Sequence, residues 1–296
     1  MGYYIARYAT NVAKNGYLYT NIIRVEEGKD MKESKMYKKY GPWAVITGAT
    51  GGIGAEFANQ LAGEGINIVL VARNEKNLSV KAKEIETKFG VKAKMVQADL
   101  SNQEGINKVI DATSDLDVGL LIPNAGMENN GYFVDVNFQS ALKEIQINVT
   151  SVFALTHHFS NKMVKKSRGG IILVSSMLGH MATPYFSNYS GTKAYVLMLG
   201  TSLYSELKSN GVDITVLSPG LTNTAMAKSV KSKYNLPMPT MSPVYTAGVA
   251  IKALGRKPVV IPGVINNMMM VTMNKLLSVP AAIKSASMMM EFSKIK

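Results

Sequence analysis

The sequence contains no cysteine and few histidines, and both absences narrow the chemistry open to it. Without a thiol, the 296-residue chain has no disulfide framework, no thiolate metal site and no cysteine nucleophile. The histidines are His157, His158 and His180, too few for a histidine-rich metal centre and a poor start for a serine triad. We therefore expect no metal site.

The chain also lacks a long apolar stretch. No segment of its body approaches the roughly 18 uncharged apolar residues of a spanning helix, and the first residues lack the apolar core of a signal peptide. Hydrophobic residues nevertheless make up 47% of the chain, as in globular proteins. We expect a cytoplasmic protein without a membrane-spanning helix.

Positive charge exceeds negative charge, with 33 lysines and arginines against 20 acids and a net charge of +13. Such an excess favours acidic partners, including nucleic acid and anionic lipid. The lysines are spread through the chain rather than interleaved with aromatic residues in one block. We interpret most of them as solvated faces and expect no nucleic-acid partner.

Short apolar runs alternate with longer helical patterns from Trp43 onward. The runs are WAVITG, NIVLVA, AKMVQA, VGLLIP, GIILVSS, VDITVLSP and KPVVIPG. Continuous rather than alternating apolar runs are typical of parallel strands buried on both faces. Helical stretches at 75–89, 101–113 and 138–166 are long enough for crossover connections. The pattern predicts an α/β, doubly wound Rossmann fold with a seven-stranded parallel sheet flanked by helices.

The chain divides into three predicted parts. Residues 1–40 form a charged N-terminal extension, residues 41–263 the Rossmann-fold catalytic domain, and residues 264–296 a methionine-rich helical tail. Methionines at helical spacing suit a cover over a core or a subunit contact. Peripheral contact of this tail with an anionic membrane is the alternative, since the chain is basic.

A glycine-rich turn follows the first predicted strand, in TGATGGIGAEFANQLAGEG. Its glycines lie where the chain must leave a strand, turn and begin a helix, and glycine lets the backbone approach a phosphate closely. The spacing does not match G-x-G-x-x-G, so the position of the motif carries the prediction. The turn residues assigned to a cofactor are Thr47, Gly48, Thr50, Gly51, Gly52, Ile53 and Gly54.

The second predicted strand ends in VLVARN. In a nicotinamide-binding fold the adenosine ribose lies here, and an acid would bind its 2′-hydroxyl, whereas Arg73 offers bidentate donors to a 2′-phosphate. The sequence therefore favours NADP(H) over NAD(H), although a surface arginine after a strand remains the alternative. The other strand-end residues assigned to the cofactor are Asn74, Asp99, Leu100, Asn124, Ala125 and Gly126.

Seven motifs occur in order at the predicted strand ends: TGATGGIG, ADL, PNAG, INVTSVF, ILVSS, YSGTK and SPGLTNT. Over residues 40–262 the chain resembles the short-chain dehydrogenase/reductase superfamily. One departure is Pro123, which stands where the family usually has asparagine. The stretch YGPWAVITGATGGIG, followed by LVARN, is similar to the branch of steroid dehydrogenases and long-chain 3-oxoacyl-CoA reductases and their bacterial relatives.

The resemblance implies a catalytic set. Tyr189 matches the family's tyrosine, the general acid/base, and Lys193 the lysine that lowers its pKa and holds the nicotinamide ribose. Ser176 matches the serine that binds the substrate oxygen, and an interval of 13 residues to the tyrosine selects it over Ser175. Asn148 matches the asparagine that holds a water in the proton path. The positions matched on the nicotinamide side are Pro219, Gly220 and Thr224.

The resemblance also implies a function and an assembly. We expect an NADP(H)-dependent oxidoreductase that interconverts a carbonyl and a secondary alcohol, mainly reducing a hydrophobic ketone, as a homodimer or homotetramer. A non-catalytic NADP(H)-binding sensor or scaffold is the alternative. His180 is expected at the pocket entrance, with a surface position as the alternative. The predicted substrate lid spans residues 225–241, and its apolar candidates are Met226, Tyr234, Met238 and Met241.

Overall fold

Seven parallel strands form the central sheet of the structure, a computed structural model that describes residues 34–226 and 240–291. The strand order is β3-β2-β1-β4-β5-β6-β7, and every neighbouring pair is parallel. The predicted doubly wound sheet is therefore confirmed. The strands are β1 (Trp43–Thr47), β2 (Asn67–Ala72), β3 (Ala93–Gln97), β4 (Val118–Ile122), β5 (Gly169–Val174), β6 (Val212–Leu217) and β7 (Val259–Val260).

Helices cover both faces of this sheet. One predicted helix, over 138–166, is interrupted. It consists of α5 (Phe138–Ile145) and α6 (Ser151–Lys165), which are joined by a π-helical segment (Gln146–Thr150). The helices are α1 (Lys35–Tyr40), α2 (Gly52–Gly63), α3 (Glu75–Phe89), α4 (Gln103–Ala112), α5 (Phe138–Ile145), α6 (Ser151–Lys165), α7 (Ser187–Glu206), α8 (Pro243–Ala253), α9 (Val264–Val271) and α10 (Val279–Glu291).

The two faces of the sheet carry separate cores, which explains the continuous apolar runs. Along β1, Ala44 and Ile46 point into the core beneath α2, α3 and α8, whereas Val45 points into the core beneath α4, α6 and α7. Successive side chains of a strand alternate between faces, so a strand covered on both sides must be apolar at every position. All three side chains are completely buried.

The strand order reverses between β1 and β4, which are neighbours although β2 and β3 lie between them in sequence. In open α/β sheets a ligand crevice forms at the carboxyl ends of the strands at such a switch point. The predicted glycine turn follows β1, and the predicted PNAG segment follows β4. The topology therefore brings these two segments to one edge of the sheet.

The ends of the described region pack onto this body. Residues 35–40, which belong to the predicted extension, form α1, and its Tyr40 donates a hydrogen bond to Asp213 Oδ2 at 2.6 Å. In the predicted tail, Met270 and Met273 are buried in a cluster with Met177. Within residues 34–226 and 240–291, no helix is both long enough and apolar enough to cross a bilayer.

Candidate functional site

The turn after β1 has the backbone geometry of a phosphate cradle. Gly48 and Gly52 have φ values of +65° and +53°, which favour glycine. A Cβ on Gly54 would lie 2.2 Å from the Gly48 carbonyl oxygen, so this close turn also requires a glycine. Helix α2 begins after Gly51, and within the described residues no side chain caps it, so the N–H groups of its first turn are open to a phosphate at this turn. The turn therefore fits the phosphates of a dinucleotide.

Two further predicted cofactor segments adjoin this turn. Asn124 Nδ2 donates to Thr47 O at 3.0 Å, and the Ala125 N–H donates to Thr47 Oγ1 at 2.8 Å, so the ends of β1 and β4 are tied together. A Cβ on Gly52 would approach Thr224 Cγ2 to 2.9 Å, which places the segment after β6 over the glycine turn. The structure thus gathers these predicted residues at one crevice.

The residues predicted at the adenosine end lie at the ends of β2 and β3. Arg73 is exposed directly after β2. Asn74 instead caps α3, where its Oδ1 accepts the Asn77 N–H at 2.9 Å. Burial acts to raise the pKa of Asp99, but hydrogen bonds from Ser101 and the charge of Lys143 outweigh it and lower that pKa. An ionised acceptor therefore stands at the end of β3.

Tyr189 and Lys193 lie one turn apart on α7, with exposures of 8% and 5%. The ammonium nitrogen of Lys193 lies 5.7 Å from the centroid of the Tyr189 ring. It also donates to the Val174 carbonyl at 3.0 Å, where β5 ends. The predicted pair is therefore held together by the helix and by the sheet edge, in a nearly dry environment.

The pKa values of this pair differ from the simple expectation that the lysine lowers the pKa of the phenol. Burial raises the pKa of Tyr189, and the carboxylates of Glu128 and Glu144 raise it further, while a hydrogen bond with Ser176 opposes them. Burial lowers the pKa of Lys193 to about 8, against the attraction of the same carboxylates. Desolvation thus outweighs the ammonium as an influence on the phenol.

The two neighbouring serines after β5 have different hydrogen-bond partners. Ser175 donates its hydroxyl to the Lys193 carbonyl at 2.7 Å in a buried contact, which is a structural use. Ser176 begins the short 3₁₀ helix Met177–His180, where its hydroxyl oxygen accepts the Leu178 N–H at 3.2 Å. Its hydroxyl proton remains available to Tyr189 or a ligand, so the geometry favours Ser176, as the sequence interval does.

Asn148 is completely buried in the π-helical segment between α5 and α6. Its Nδ2 donates to Met127 O at 2.9 Å and to Thr192 Oγ1 at 3.1 Å. A Cβ on Gly126 would lie 3.3 Å from Asn148 Oδ1 and 3.4 Å from Lys193 Nζ. The asparagine therefore borders the same small space as the lysine, and glycine keeps that space open.

Two acids at this site were missed by the sequence reasoning. Glu128 follows the PNAG segment, and Glu144 is completely buried on α5. Both act on the charges of Tyr189 and Lys193. A signal was present for one of them, because Glu144 lies four residues before Asn148 and so on the same helix face.

The predicted substrate side is only partly described. Tyr234 and Met238 lie outside the described residues, whereas Met241 pairs with Thr222 in an isolated bridge and Met226 is exposed. His180 Nε2 lies 2.9 Å from Ser218 Oγ, so the histidine is not a free surface side chain. Within the described ranges, no group of His, Asp and Glu residues is placed to hold a metal ion.

The C-terminal helix reaches the tyrosine. Met290 of α10 packs with Phe186 and Tyr189 in one buried cluster. A second cluster joins Met270 and Met273 to Met177, the residue that follows Ser176. The methionines of the tail therefore cover the predicted catalytic residues as well as a core.

Comparison with known sequences agrees with this geometry. A family model described as short chain dehydrogenase matches residues 42–235. A very-long-chain 3-oxoacyl-CoA reductase of Podospora anserina is 36% identical over 210 residues, which cover 69% of this chain and 62% of that protein. A 7beta-hydroxysteroid dehydrogenase of Collinsella aerofaciens is 35% identical over 187 residues, 63% of this chain and 71% of that protein. The match thus spans less than two thirds of the fungal reductase.

Comparison with solved structures points the same way. A structure from a study of 7beta-hydroxysteroid dehydrogenase stereoselectivity matches with a TM-score of 0.79 and 30% identity, over 85% of this chain and 98% of that one. A short-chain dehydrogenase from Sphingobium yanoikuyae in complex with NADPH matches with a TM-score of 0.71 and 29% identity, over 80% and 97% of the two chains.

Proposed function

This chain belongs to the short chain dehydrogenase family, and we propose that it is an oxidoreductase that interconverts a carbonyl and a secondary alcohol with NADP(H), mainly as a ketone reductase. The observation that carries this proposal is the buried pair on α7, in which the Lys193 ammonium lies 5.7 Å from the Tyr189 ring centroid. The Lys193 ammonium lies beside Gly126, in the segment that adjoins the glycine turn at the crevice.

The proposed reduction assigns one task to each residue. NADPH, when bound, supplies the hydride that adds to the carbonyl carbon. Tyr189 gives its phenolic proton to the carbonyl oxygen, which becomes the hydroxyl of the product. Ser176 donates a hydrogen bond to the same oxygen as negative charge develops there. The oxygen is thus stabilised from two sides while the carbon–oxygen double bond is reduced.

Lys193 is proposed to return a proton to Tyr189 after each reduction. After proton transfer the phenolate faces an ammonium one helical turn away, whose charge stabilises it. With a pKa of about 8, Lys193 is mostly protonated at pH 7 and still acidic enough to pass a proton on. Asn148, which borders the same space, is proposed to hold the water that refills this path.

NADP(H) is the proposed cofactor because of the residue after β2. Arg73 is exposed at the strand end where the adenosine ribose of a dinucleotide lies in this fold. Its guanidinium can bind a 2′-phosphate through two parallel hydrogen bonds. The complex of the Sphingobium relative with NADPH supports this choice.

The proposed substrate is a hydrophobic ketone of the 3-oxoacyl or steroid type. Relatives with those activities support the class. The side chains nearest the predicted catalytic residues on the tail side are methionines, which adapt to irregular apolar shapes. An apolar substrate would bury its surface against them.

Exposed apolar side chains support a proposal for assembly and one for location. Phe153 on α6 and Tyr195 and Met198 on α7 are exposed, which supports a homodimer or homotetramer through these helices. Met268 and Met288 are exposed on the tail, which supports peripheral membrane contact of a cytoplasmic protein. Light scattering of the full chain, and its co-sedimentation with anionic vesicles, test the two proposals.

The decisive experiment compares Tyr189→Phe with Tyr245→Phe, a matched loss of one hydroxyl at an exposed position on α8. Both variants and the parent are titrated with NADPH and assayed on 3-oxoacyl thioesters, steroid ketones and small aldehydes. Tyr189→Phe should bind NADPH and lose at least about 10²-fold of turnover. Undiminished turnover would reject the mechanism, and NADPH binding without turnover in the parent would favour the sensor reading.

A further inference from the structure

A carboxylate that the proposed mechanism does not use is buried inside the site. Glu144 on α5 has no exposed surface. Its Oε2 accepts hydrogen bonds from Asn129 Nδ2 at 2.9 Å and from Asn188 Nδ2 at 2.8 Å. Burial raises the pKa of this carboxyl, while the hydrogen bonds from Asn129 and Asn188 act to lower it. A buried acid held in this way needs an explanation, because burying charge costs free energy unless the charge serves other groups.

The two amide donors belong to the two segments that build the active site. Asn188 directly precedes Tyr189 at the start of α7, and its Nδ2 also donates to Ala141 O at 3.1 Å. Asn129 lies on the loop after β4, two residues beyond Met127, whose backbone is held by the side chain of Asn148. One carboxylate oxygen therefore joins the start of the tyrosine helix to the loop that borders the crevice.

The loop side of this connection is reinforced from α5 itself. Asn129 Nδ2 donates to Ser140 O at 3.1 Å, and Ser140 Oγ donates to Asn129 Oδ1 at 2.6 Å. Both polar side-chain atoms of Asn129 are thus bonded to α5, which fixes its amide toward Glu144. The network has a single orientation in which the carboxylate is the acceptor.

We infer that Glu144 is a positioning residue of the proposed reaction: its carboxylate fixes Tyr189 against the crevice loop and sets a buried negative charge beside the tyrosine–lysine pair. The inference rests on the proposed function, because it assigns the carboxylate to the same proton path. Glu144 touches neither substrate nor hydride. It acts through Asn188 and through its charge.

The charges that face the pair come from two elements, and the pair itself lies on a third. Glu144 lies on α5, Glu128 on the loop after β4, and Tyr189 with Lys193 on α7. Removal of one negative charge makes loss of a proton easier for both members of the pair. The pH at which the pair loses its proton should therefore fall by about one unit, which corresponds to about 1.4 kcal/mol of interaction with the lost charge.

The test is Glu144→Gln, whose amide oxygen can still accept from Asn129 and Asn188 while the charge is gone. Reduction requires a protonated pair, so the pH midpoint above which kcat falls should move down by about one unit. Glu206→Gln, the same change on the exposed end of α7, is the matched control and should leave the midpoint in place. A profile of Glu144→Gln that superimposes on the parent overturns the inference.

A second measurement does not depend on activity. Urea unfolding at pH 7 of Glu144→Gln, Lys193→Met and the double variant forms a cycle that isolates the interaction between the two residues. The double variant should lose less stability than the two single losses added together. If the two losses of unfolding free energy simply add, the inference is overturned, whether or not the parent reduces a ketone. Absence of turnover in the parent would by itself reject only the proposed function.

If Glu144→Gln does not fold, Lys193→Met in the same background becomes decisive. Recovery of folding supports the inference, because the ammonium left without its carboxylate is then absent. Continued failure to fold overturns it.

Discussion

Asn148 and the backbone of Met127 form a two-point hydrogen-bonded pair across the candidate site. The side-chain oxygen of Asn148 accepts the Met127 N–H at 3.0 Å, and its Nδ2 donates to the Met127 carbonyl at 2.9 Å. This is the pairing that a neighbouring strand would provide. The asparagine side chain thus holds the backbone of the loop after β4 in place, as a neighbouring strand would.

We predict that Asn148→Ala destabilises the fold as well as the reaction. Its loss leaves both polar groups of Met127 without their partner, at about 1–3 kcal/mol each where they are shielded from water. Urea unfolding should show a loss of a few kcal/mol by this reasoning. Asn161→Ala, at an exposed position on α6, should change the unfolding free energy by about 0.5 kcal/mol or less. Equal effects would contradict the prediction.

Two glycines of α2 should respond in opposite ways to alanine. A Cβ on Gly54 would lie 2.2 Å from the Gly48 oxygen, so Gly54→Ala must displace the turn and should abolish NADPH binding. A Cβ on Gly63 would meet Phe89 at an ordinary 3.6 Å, and Gly63→Ala should raise helix stability by up to about 1 kcal/mol. Isothermal titration and thermal unfolding measure both. Normal NADPH binding by Gly54→Ala would refute the cradle.

Arg73→Ala should weaken NADPH binding without weakening NADH binding. A hydrogen bond to a charged group contributes about 1.5–3 kcal/mol, so the Kd for NADPH should rise by about 10- to 100-fold. Lys76→Ala removes a positive charge from the exposed first turn of α3 and serves as the control. A parallel loss of affinity for both cofactors in Arg73→Ala would exclude a 2′-phosphate contact.

The stability of the chain should depend on pH through Lys193. Its pKa of about 8 lies below the ordinary value of 10.5, so between these values the unfolded chain binds more protons than the folded one. Stability relative to Lys193→Met should therefore rise from pH 7 to pH 9.5, by about 2 kcal/mol at 1.4 kcal/mol per unit above pH 8. A difference that stays constant over this range would contradict burial of the ammonium.

Met290 should limit which ketones reach Tyr189. The side chain shares a buried cluster with Phe186 and Tyr189, so Met290→Ala should open space beside them and increase kcat/KM for bulky ketones relative to small ones. Met288→Ala, an exposed position on the same helix, is the control. An unchanged ratio of bulky to small substrates would show that α10 does not line the substrate path.

The sheet and most helices were predictable because their signals are local. Apolar runs mark strands covered on both faces, and α3 begins and ends at the predicted residues, with Asn74 as its cap and Gly90 in the left-handed conformation after it. The interruption at Gln146–Thr150 was not predictable, because it is a shift of hydrogen-bond register that no residue type requires.

In the candidate site, too, the residues with a local sequence signal were predicted and those that depend on distant contacts were not. The motifs located Tyr189 and Lys193, whose spacing is a helical turn. The sequence reasoning did not identify the buried carboxylate of Glu144, since an acid on a helix is usually solvated, and its burial depends on amides 15 and 44 residues away. The cluster that joins Met290 to Tyr189 spans a still longer stretch of sequence and has no local signature.

The amide nitrogen of Asn188 has one more consequence. Asn188 and Asn148 each begin an Asn-X-Ser/Thr triplet, the acceptor sequence for N-linked glycans. In the folded protein the Asn188 nitrogen is bonded to Glu144 and Ala141, and the Asn148 nitrogen to Met127 and Thr192. A sugar on either nitrogen would replace one of its two hydrogens and so remove at least one of these bonds, and we therefore expect the folded protein to carry both asparagines unglycosylated.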